Sequence, residues 1–277
     1  MTNKREYHYL VAGLPDIVIG QSKVSLKVAA FKEELRQFLH PDDFGLVEML
    51  FLRFDNQNLL NLLEKKETAW DPMGKFSEEQ LLQGMEDPAS GLPAYIPLFY
   101  RAFREEAPLE ADMSWENQLA QLYYDHVLRV TEGFLHDWFT FERNLKNILA
   151  AISARRHGFS LDGQLIGKNE VTAAIRRSHA RDFGLSNEHP FIEKLLKTEE
   201  QTNILERERT ITQLKWEKID ELATFEYFTI GRILAFLLKL ISFERWANLE
   251  PAAGMEIFKK KIGELEHSFE FSSEFEI

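Results

Sequence analysis

SWENQLAQLYYDHVLRVTEGFLHDWFTFERNLKNILAAISARRHG, residues 114–158, is the stretch whose reading decides the fold. Apolar side chains stand at Leu119, Tyr123, Val127, Val130, Phe134, Trp138, Phe141, Leu145, Ile148 and Ile152. The steps are threes and fours, which place all of them on one stripe of an α-helix. Ser114 occupies an N-cap position. Arg155, Arg156 and His157 supply cations to the last turn, and Gly158 follows where a left-handed C-cap belongs. Read as one rod, residues 114–156 span about 65 Å, with Gly133 the place where the rod kinks or divides.

The same periodicity extends outward. Val28, Phe31, Leu35 and Phe38 mark a helix capped at Ser25 and stopped before His40-Pro41, because the residue before proline avoids the α region. A second helix runs from Asp42 or Asp43 to about Lys66. Tyr7–Ile19, interrupted by Gly13 and Pro15, reads as a short strand or a lead-in to a helix. Trp70–Pro108 holds five of the nine prolines and is the candidate internal boundary. Within it, Ser77 with Gln80 forms a capping box and Phe76 with Leu81 a staple, and a further helix fits Pro97–Glu106. Downstream, Phe159–Leu185 is basic and punctuated by glycine. Pro190 opens a charged helical stretch to about Leu222, with Glu193–Lys197 and Glu206–Arg209 at pairing distance. Phe225–Trp246 is apolar nearly all round, as a central helix is. A last helix fits Pro251–His267, and Ser268–Ile277 alternates phenylalanine with acid and is expected to fray.

Composition agrees. With 22 phenylalanines against 14 glycines and 9 prolines, the 277-residue chain has few breakers and many large apolar groups. Its 44% hydrophobic and 28% charged residues exclude a disordered, collagen-like or membrane-embedded chain. The fold class is therefore all-α. A net charge of −12 disfavours nucleic acid and anionic lipid as bulk partners. Without cysteine there is no disulfide, thiolate zinc site or cysteine nucleophile. Met1–Glu6 is too polar for a signal peptide, and Ile230–Ile241, about 18 Å as a helix, is too short to span a bilayer.

An internal repeat is visible. Asn58-Leu59-Leu60-Asn61-Leu62-Leu63 resembles Asn144-Leu145-Lys146-Asn147-Ile148-Leu149, 86 residues later. His136–Ile152 resembles Phe225–Ile241 at an offset of 89, with Phe139/Phe228, Thr140/Thr229, Arg143/Arg232 and Leu149/Leu238 among the coincidences. Glu132/Glu221 extends the match. The offsets imply three helical-bundle modules, approximately 1–90, 91–185 and 186–277, in a single domain. Each apolar stripe must be buried against a neighbour. The modules either stack linearly or close around a pseudo-threefold axis, and closure leaves a central depression that suits the end of another protein.

Catalytic signatures are missing. There is no phosphate-binding glycine loop, nucleophile elbow or H-E-x-x-H. Glu264-Leu265-Glu266-His267 alone has the E-x-x-H form of a di-metal bundle. No cofactor, metal or catalytic residue is therefore assigned. His126 and His136, with Asp125 and Asp137, lie near one helix face, but adjacent residues on a helix point apart. Asn58, Asn61, Asn144 and Asn147 read as hydrogen-bonded register markers between helices. Arg143 and Arg232 read as structural, pairing either with Glu132 and Glu221 or with each other's modules. From Arg155 to Arg181, six cations (Arg155, Arg156, Lys168, Arg176, Arg177, Arg181) face two acids, Asp162 and Glu170. This is either a solvated helix end or a docking patch for an acidic protein surface.

Tyr7-His8-Tyr9-Leu10-Val11-Ala12-Gly13-Leu14-Pro15, Phe54-Asp55-Asn56-Gln57-Asn58-Leu59-Leu60 and Leu92-Pro93-Ala94-Tyr95-Ile96 resemble an uncharacterised bacterial family associated with V-type ATPase genes. Phe141-Glu142-Arg143-Asn144-Leu145-Lys146-Asn147-Ile148-Leu149, closing in Arg155-Arg156-His157-Gly158, is similar to the repeat of the C subunit of V/A-type ATPases, called d in eukaryotes. The third module departs from it, with Arg232-Ile233-Leu234 in place of the asparagine. Ala12-Gly13-Leu14-Pro15 replaces the arginine-rich N-terminal signature. The resemblance implies a funnel-shaped, non-catalytic rotor adapter. It implies a position on the cytoplasmic face of the cell membrane, between the central stalk and the membrane rotor ring, with those ATPase subunits as partners in torque transfer and ion or proton transport. A generic helical-repeat scaffold, and an all-α enzyme with a pocket at His126, Asp137 and Glu132, are the alternatives that the residues leave open.

Overall fold

A computed structural model describes residues 5–18, 24–87, 91–199 and 204–248. They form eleven helices and no strand: α1 His8–Ala12, α2 Val28–Phe38, α3 Pro41–Leu63, α4 Glu78–Glu86, α5 Tyr95–Arg104, α6 Trp115–Val130, α7 Gly133–His157, α8 Glu170–Arg177, α9 Phe191–Glu199, α10 Ile204–Leu222 and α11 Ile230–Asn248. The chain is all-α. The expected helix at Pro251–His267 and the tail Ser268–Ile277 lie outside the described residues. No helix among the described residues is long and apolar enough to cross a membrane.

The ends of the helices follow local chemistry. Pro41 takes the first turn of α3, where its missing N–H costs nothing. Ser77 and Gln80 close the capping box of α4, and Ser114 accepts from Asn117 N–H at the start of α6. Gly158 stops α7 in the left-handed region. The ~65 Å stretch divides at Gly133, one of the two outcomes expected there: Thr131 and Glu132 are extended, the Thr131 hydroxyl donates back to Val127 O, and Gly133 has φ +55°. Three expectations are corrected. The α2 cap is not Ser25. Lys27 precedes the helix, and Glu244 of α11 accepts the Val28 N–H at 2.9 Å. α11 starts at Ile230, so Phe225, Tyr227 and Phe228 lie in an exposed corner before it. The stretch after Pro190 is two helices, and Glu193 meets Ser186 while Lys194 pairs with Glu217. The basic stretch also contains a helix of its own, α8, capped by Asn169 and Thr172.

Three long helices, α3, α7 and α11, carry the core, with α11 packed on both others. Each is preceded in the chain by a helix that bridges to another long helix. α6 contacts α3 and α7, α10 contacts α7 and α11, and α2 contacts α11 and α3. Phe31 of α2 meets Phe236 of α11 edge-on at 5.2 Å. Apolar burial of this kind contributes roughly 25 cal/mol per Å².

Asparagine amides tie loops to the long helices. Asn147, fully buried on α7, donates to Ile166 O and accepts from Ile166 N–H, both at 2.8 Å. Asn58 on α3 does the same with Asp71, both at 2.9 Å. One helical turn earlier, Asp55 accepts from Lys75 and Phe76 N–H, and Asn144 accepts from the Asn169 side chain. The matched pairs are thus Asn58 with Asn147 and Asp55 with Asn144, both 89 residues apart, which replaces the expected offset of 86. The Asn61 side chain instead accepts from Gln57 on its own helix.

Removing either clamp strands a buried donor and acceptor. Asn147→Ala and Asn58→Ala are each expected to lower stability by about 2–4 kcal/mol. Asn61→Ala is expected to stay within ~0.5 kcal/mol of the parent. Urea unfolding of the three variants checks the order.

Candidate functional site

Five helices enclose a cleft of about 360 Å³. Trp138, Glu142 and Lys146 come from one face of α7, at spacings of four that stack them along it. Trp216 and Lys215 come from α10, Arg245 from α11, Tyr124 from α6 and Arg53 from α3. The floor is aliphatic, with Leu145, Ile219 and Leu238.

The charges are unequal. Glu142 is approached by Lys215 at 3.4 Å and Arg53 at 4.0 Å. Glu208 is paired with Arg245. Lys146 also lines the cleft. Four cations therefore face two carboxylates, in a chain of net charge −12. Burial pushes the Tyr124 hydroxyl well above its ordinary pKa, and the Glu142 charge adds to this, so it stays protonated. The buried indole N–H of Trp216 has no acceptor among the described residues. The cleft thus presents more cations than carboxylates, over tryptophan, tyrosine and leucine side chains that are themselves buried.

The basic stretch lies elsewhere. Arg155 donates to Ser178 O and Ala180 O and lies 3.9 Å over the Phe183 ring, so it holds the chain after α8 to the end of α7. Arg177 donates to Ala173 O on its own helix. Arg156, Lys168, Arg176 and Arg181 are exposed. Phe159, 70% exposed, stacks on His157 beside Arg156.

Other expected pairings are replaced. Arg143 is half-buried, faces Asp125 rather than Glu132, and packs against Gly167, where a Cβ would come within 3.1 Å of its guanidinium. Glu221 pairs with Lys218, and Arg232 lines a side cavity with Asp220 and Lys239. His126 packs on the Tyr95 ring at 5.3 Å, while Asp137 sits at the surface 3.5 Å from His136. The three groups of the enzyme alternative are therefore not assembled around the cleft. Among the described residues no group of three or more His, Asp or Glu is arranged to hold a metal. Glu264 and His267 lie outside them.

A family model described as "Protein of unknown function (DUF2764)" matches residues 3–269. No curated protein and no solved structure matches the chain.

His126 yields a pH prediction. Burial, then the nearby Arg129, lowers its pKa below 6.5, and neither ring nitrogen has a hydrogen-bond partner. The folded state prefers the neutral ring, so stability is full above that value and falls as pH drops through it, where the unfolded chain takes the proton. His189 shifts in the same direction, chiefly by burial. His126→Phe is expected to lose less Tm than the parent between about pH 7 and pH 5.5. Thermal melts across that range measure it.

Proposed function

We propose that this chain, which belongs to the DUF2764 family of proteins of unknown function, is a non-catalytic coupler of a V/A-type ATPase. On this reading three modules close around a pseudo-threefold axis, and the central cleft receives the foot of the rotary stalk. The opposite end meets the membrane rotor ring at the cytoplasmic face of the cell membrane. The observation that carries the reading is the cleft itself: it opens between α7, α10 and α11, with Arg53 of α3 and Tyr124 of α6 at its edge, so that all three of α3, α7 and α11 reach it. The motifs around Phe54-Asp55-Asn56 and Phe141-Glu142-Arg143 support the choice of ATPase.

Mechanical coupling has physical requirements that this site meets. Torque passes only through walls that do not yield, and close-packed interiors have low compressibility. Trp138, Leu145, Trp216, Ile219 and Leu238 are at most partly exposed, and Trp138 and Leu145 belong to the longest helix, about 37 Å. The cations of the cleft give an acidic shaft a favoured orientation, since charge complementarity fixes register and speeds encounter. The exposed part of the basic stretch, Arg156, Lys168, Arg176 and Arg181, is a second contact on the flank of the same coupler.

Co-purification from native membranes tests the assignment directly. The full chain is expected to bring down central-stalk subunits. Lys146→Glu with Lys215→Glu is expected to weaken that capture at least tenfold, about 1.4 kcal/mol, without change in helicity by circular dichroism. Arg176→Glu with Arg177→Glu is expected to weaken it less. Undiminished capture by the first pair would remove the cleft from the interface.

A further inference from the structure

The corner before α11 carries rings that the fold leaves in solvent. Phe225, Tyr227 and Phe228 stand there, and Tyr9 of α1 and Phe38 at the end of α2 continue the same surface. The Phe38 ring lies 6.5 Å from that of Tyr9, and the neighbouring His8 ring lies 4.2 Å from that of Phe228. Tyr7 N–H donates to Phe228 O at 2.7 Å, which ties α1 to the corner. The five aromatic residues are 40% to 81% exposed. At ~200 Å² for a whole aromatic side chain, they leave roughly 650 Å² open to solvent. The largest apolar patch of an ordinary monomer is about 300–600 Å². The backbone that presents these rings is well tied. The Thr224 hydroxyl donates to Asp220 O at 3.0 Å, Glu226 N–H donates to Ala223 O at 3.0 Å, and the Thr229 hydroxyl donates to the Glu226 carboxylate. A Cβ at Gly231 would lie 2.7 Å from that carboxylate carbon. Rings held in this way lose little freedom on association.

We propose that this aromatic corner pairs with its own copy across a two-fold axis, so that the chain is a homodimer. A two-fold interface joins one patch to the same patch of the second copy. Roughly 650 Å² from each copy gives about 1,300 Å² in total, within the ~1,200–2,000 Å² of a stable interface. Ring-on-ring contacts add to the area term. The neighbouring charges point to a second copy rather than to a strongly charged partner, because they are already paired. Arg5 meets Asp42 at 3.0 Å, His8 meets Glu6 at 2.8 Å and Lys218 meets Glu221 at 2.6 Å. What the corner offers is apolar area, and a second copy brings an equal area to it. None of the five aromatic residues lines the cleft. The dimer and a partner in the cleft therefore use different surfaces, and the dimer holds whichever partner the cleft takes.

Sedimentation equilibrium of the full chain tests this. At about 50 µM, well above a micromolar dissociation constant, the chain is expected to sediment at twice the 32.4 kDa of one copy. Tyr9→Ser with Phe225→Ser is expected to weaken the dimer at least tenfold. Circular dichroism is expected to stay unchanged, because both residues are 81% exposed in the single chain. Phe159→Ser, which removes an exposed ring outside the corner, is expected to leave the dimer as it is. Raising salt from about 0.05 M to about 0.5 M is expected to tighten the dimer, since salt screens the repulsion between two chains, each of net charge −12. A monomer at the first concentration would overturn the proposal and leave the corner to a different protein. A dimer that survives the double substitution, or that Phe159→Ser weakens equally, would place the contact elsewhere and overturn it too. Loosening by salt would show ion pairs holding the copies and overturn the apolar contact.

Discussion

Two buried asparagine amides set the geometry on which the rest of the molecule depends. A loop that passes over a long helix brings backbone N–H and C=O groups out of water, and each must find a partner. Asn147 answers both groups of Ile166, and Asn58 both groups of Asp71. A primary amide does this from one side chain with a separate donor and acceptor. Aspartate would repel the carbonyl, and glutamine would push the loop outward by a methylene. Once the loop is held, a capping box follows it in each case: Ser77 with Gln80 at α4, and Asn169 with Thr172 at α8. The clamps thus fix where the short helices begin, and the opposite face of α7 is left to α10, α11 and the cleft.

The third long helix has no such clamp. Phe236 stands on α11 where Asn147 stands on α7 at the same 89-residue spacing, and it packs on Phe31. What holds this seam is different in kind. Glu244 accepts the first free N–H of α2, Tyr7 N–H donates to Phe228 O at 2.7 Å, and Arg5 pairs with Asp42. The contact of α2 with α11 therefore joins segments from the two ends of the described chain by one helix cap and an aromatic pair. A cap of this type is worth about 1 kcal/mol, so the seam relies mainly on apolar burial, with Phe31 against Phe236.

How far the sequence discloses this follows from which interactions are local. Helix class, the capping box at Ser77, the cap at Ser114 and the stop at Gly158 are all decided within a few residues, and all are legible. The break before α7 is legible only in part: Gly133 marks the place, but the apolar steps run through it unchanged, so the pattern does not choose between a kink and a division. The α2 cap is illegible for another reason: its carboxylate comes from 216 residues away. α8 was hidden by its glycine-rich flanks, although Asn169-x-x-Thr172 was a usable signal. The asparagine register slips by three residues because leucines recur on both faces, and only the hydrogen bonds show that Asn58 answers to Asn147. The cleft escapes any linear reading, since Arg53, Tyr124, Glu142, Lys215 and Arg245 come from five separate helices.

The chemistry of the cleft bears on the choice between a coupler and an enzyme. A general base or nucleophile needs a group whose proton affinity is brought near neutrality. Here burial moves the Tyr124 hydroxyl the opposite way, and Glu142 sits between two cations. On the coupler reading, Glu142 with Lys215 and Arg53 serves recognition, presenting a partner with a fixed pattern of charged groups. On the same reading, the surplus cations select an acidic shaft, and the buried indoles of Trp138 and Trp216 stiffen the wall behind them. The load then falls on α7 and α10, which pack directly against each other and carry both tryptophans of the cleft.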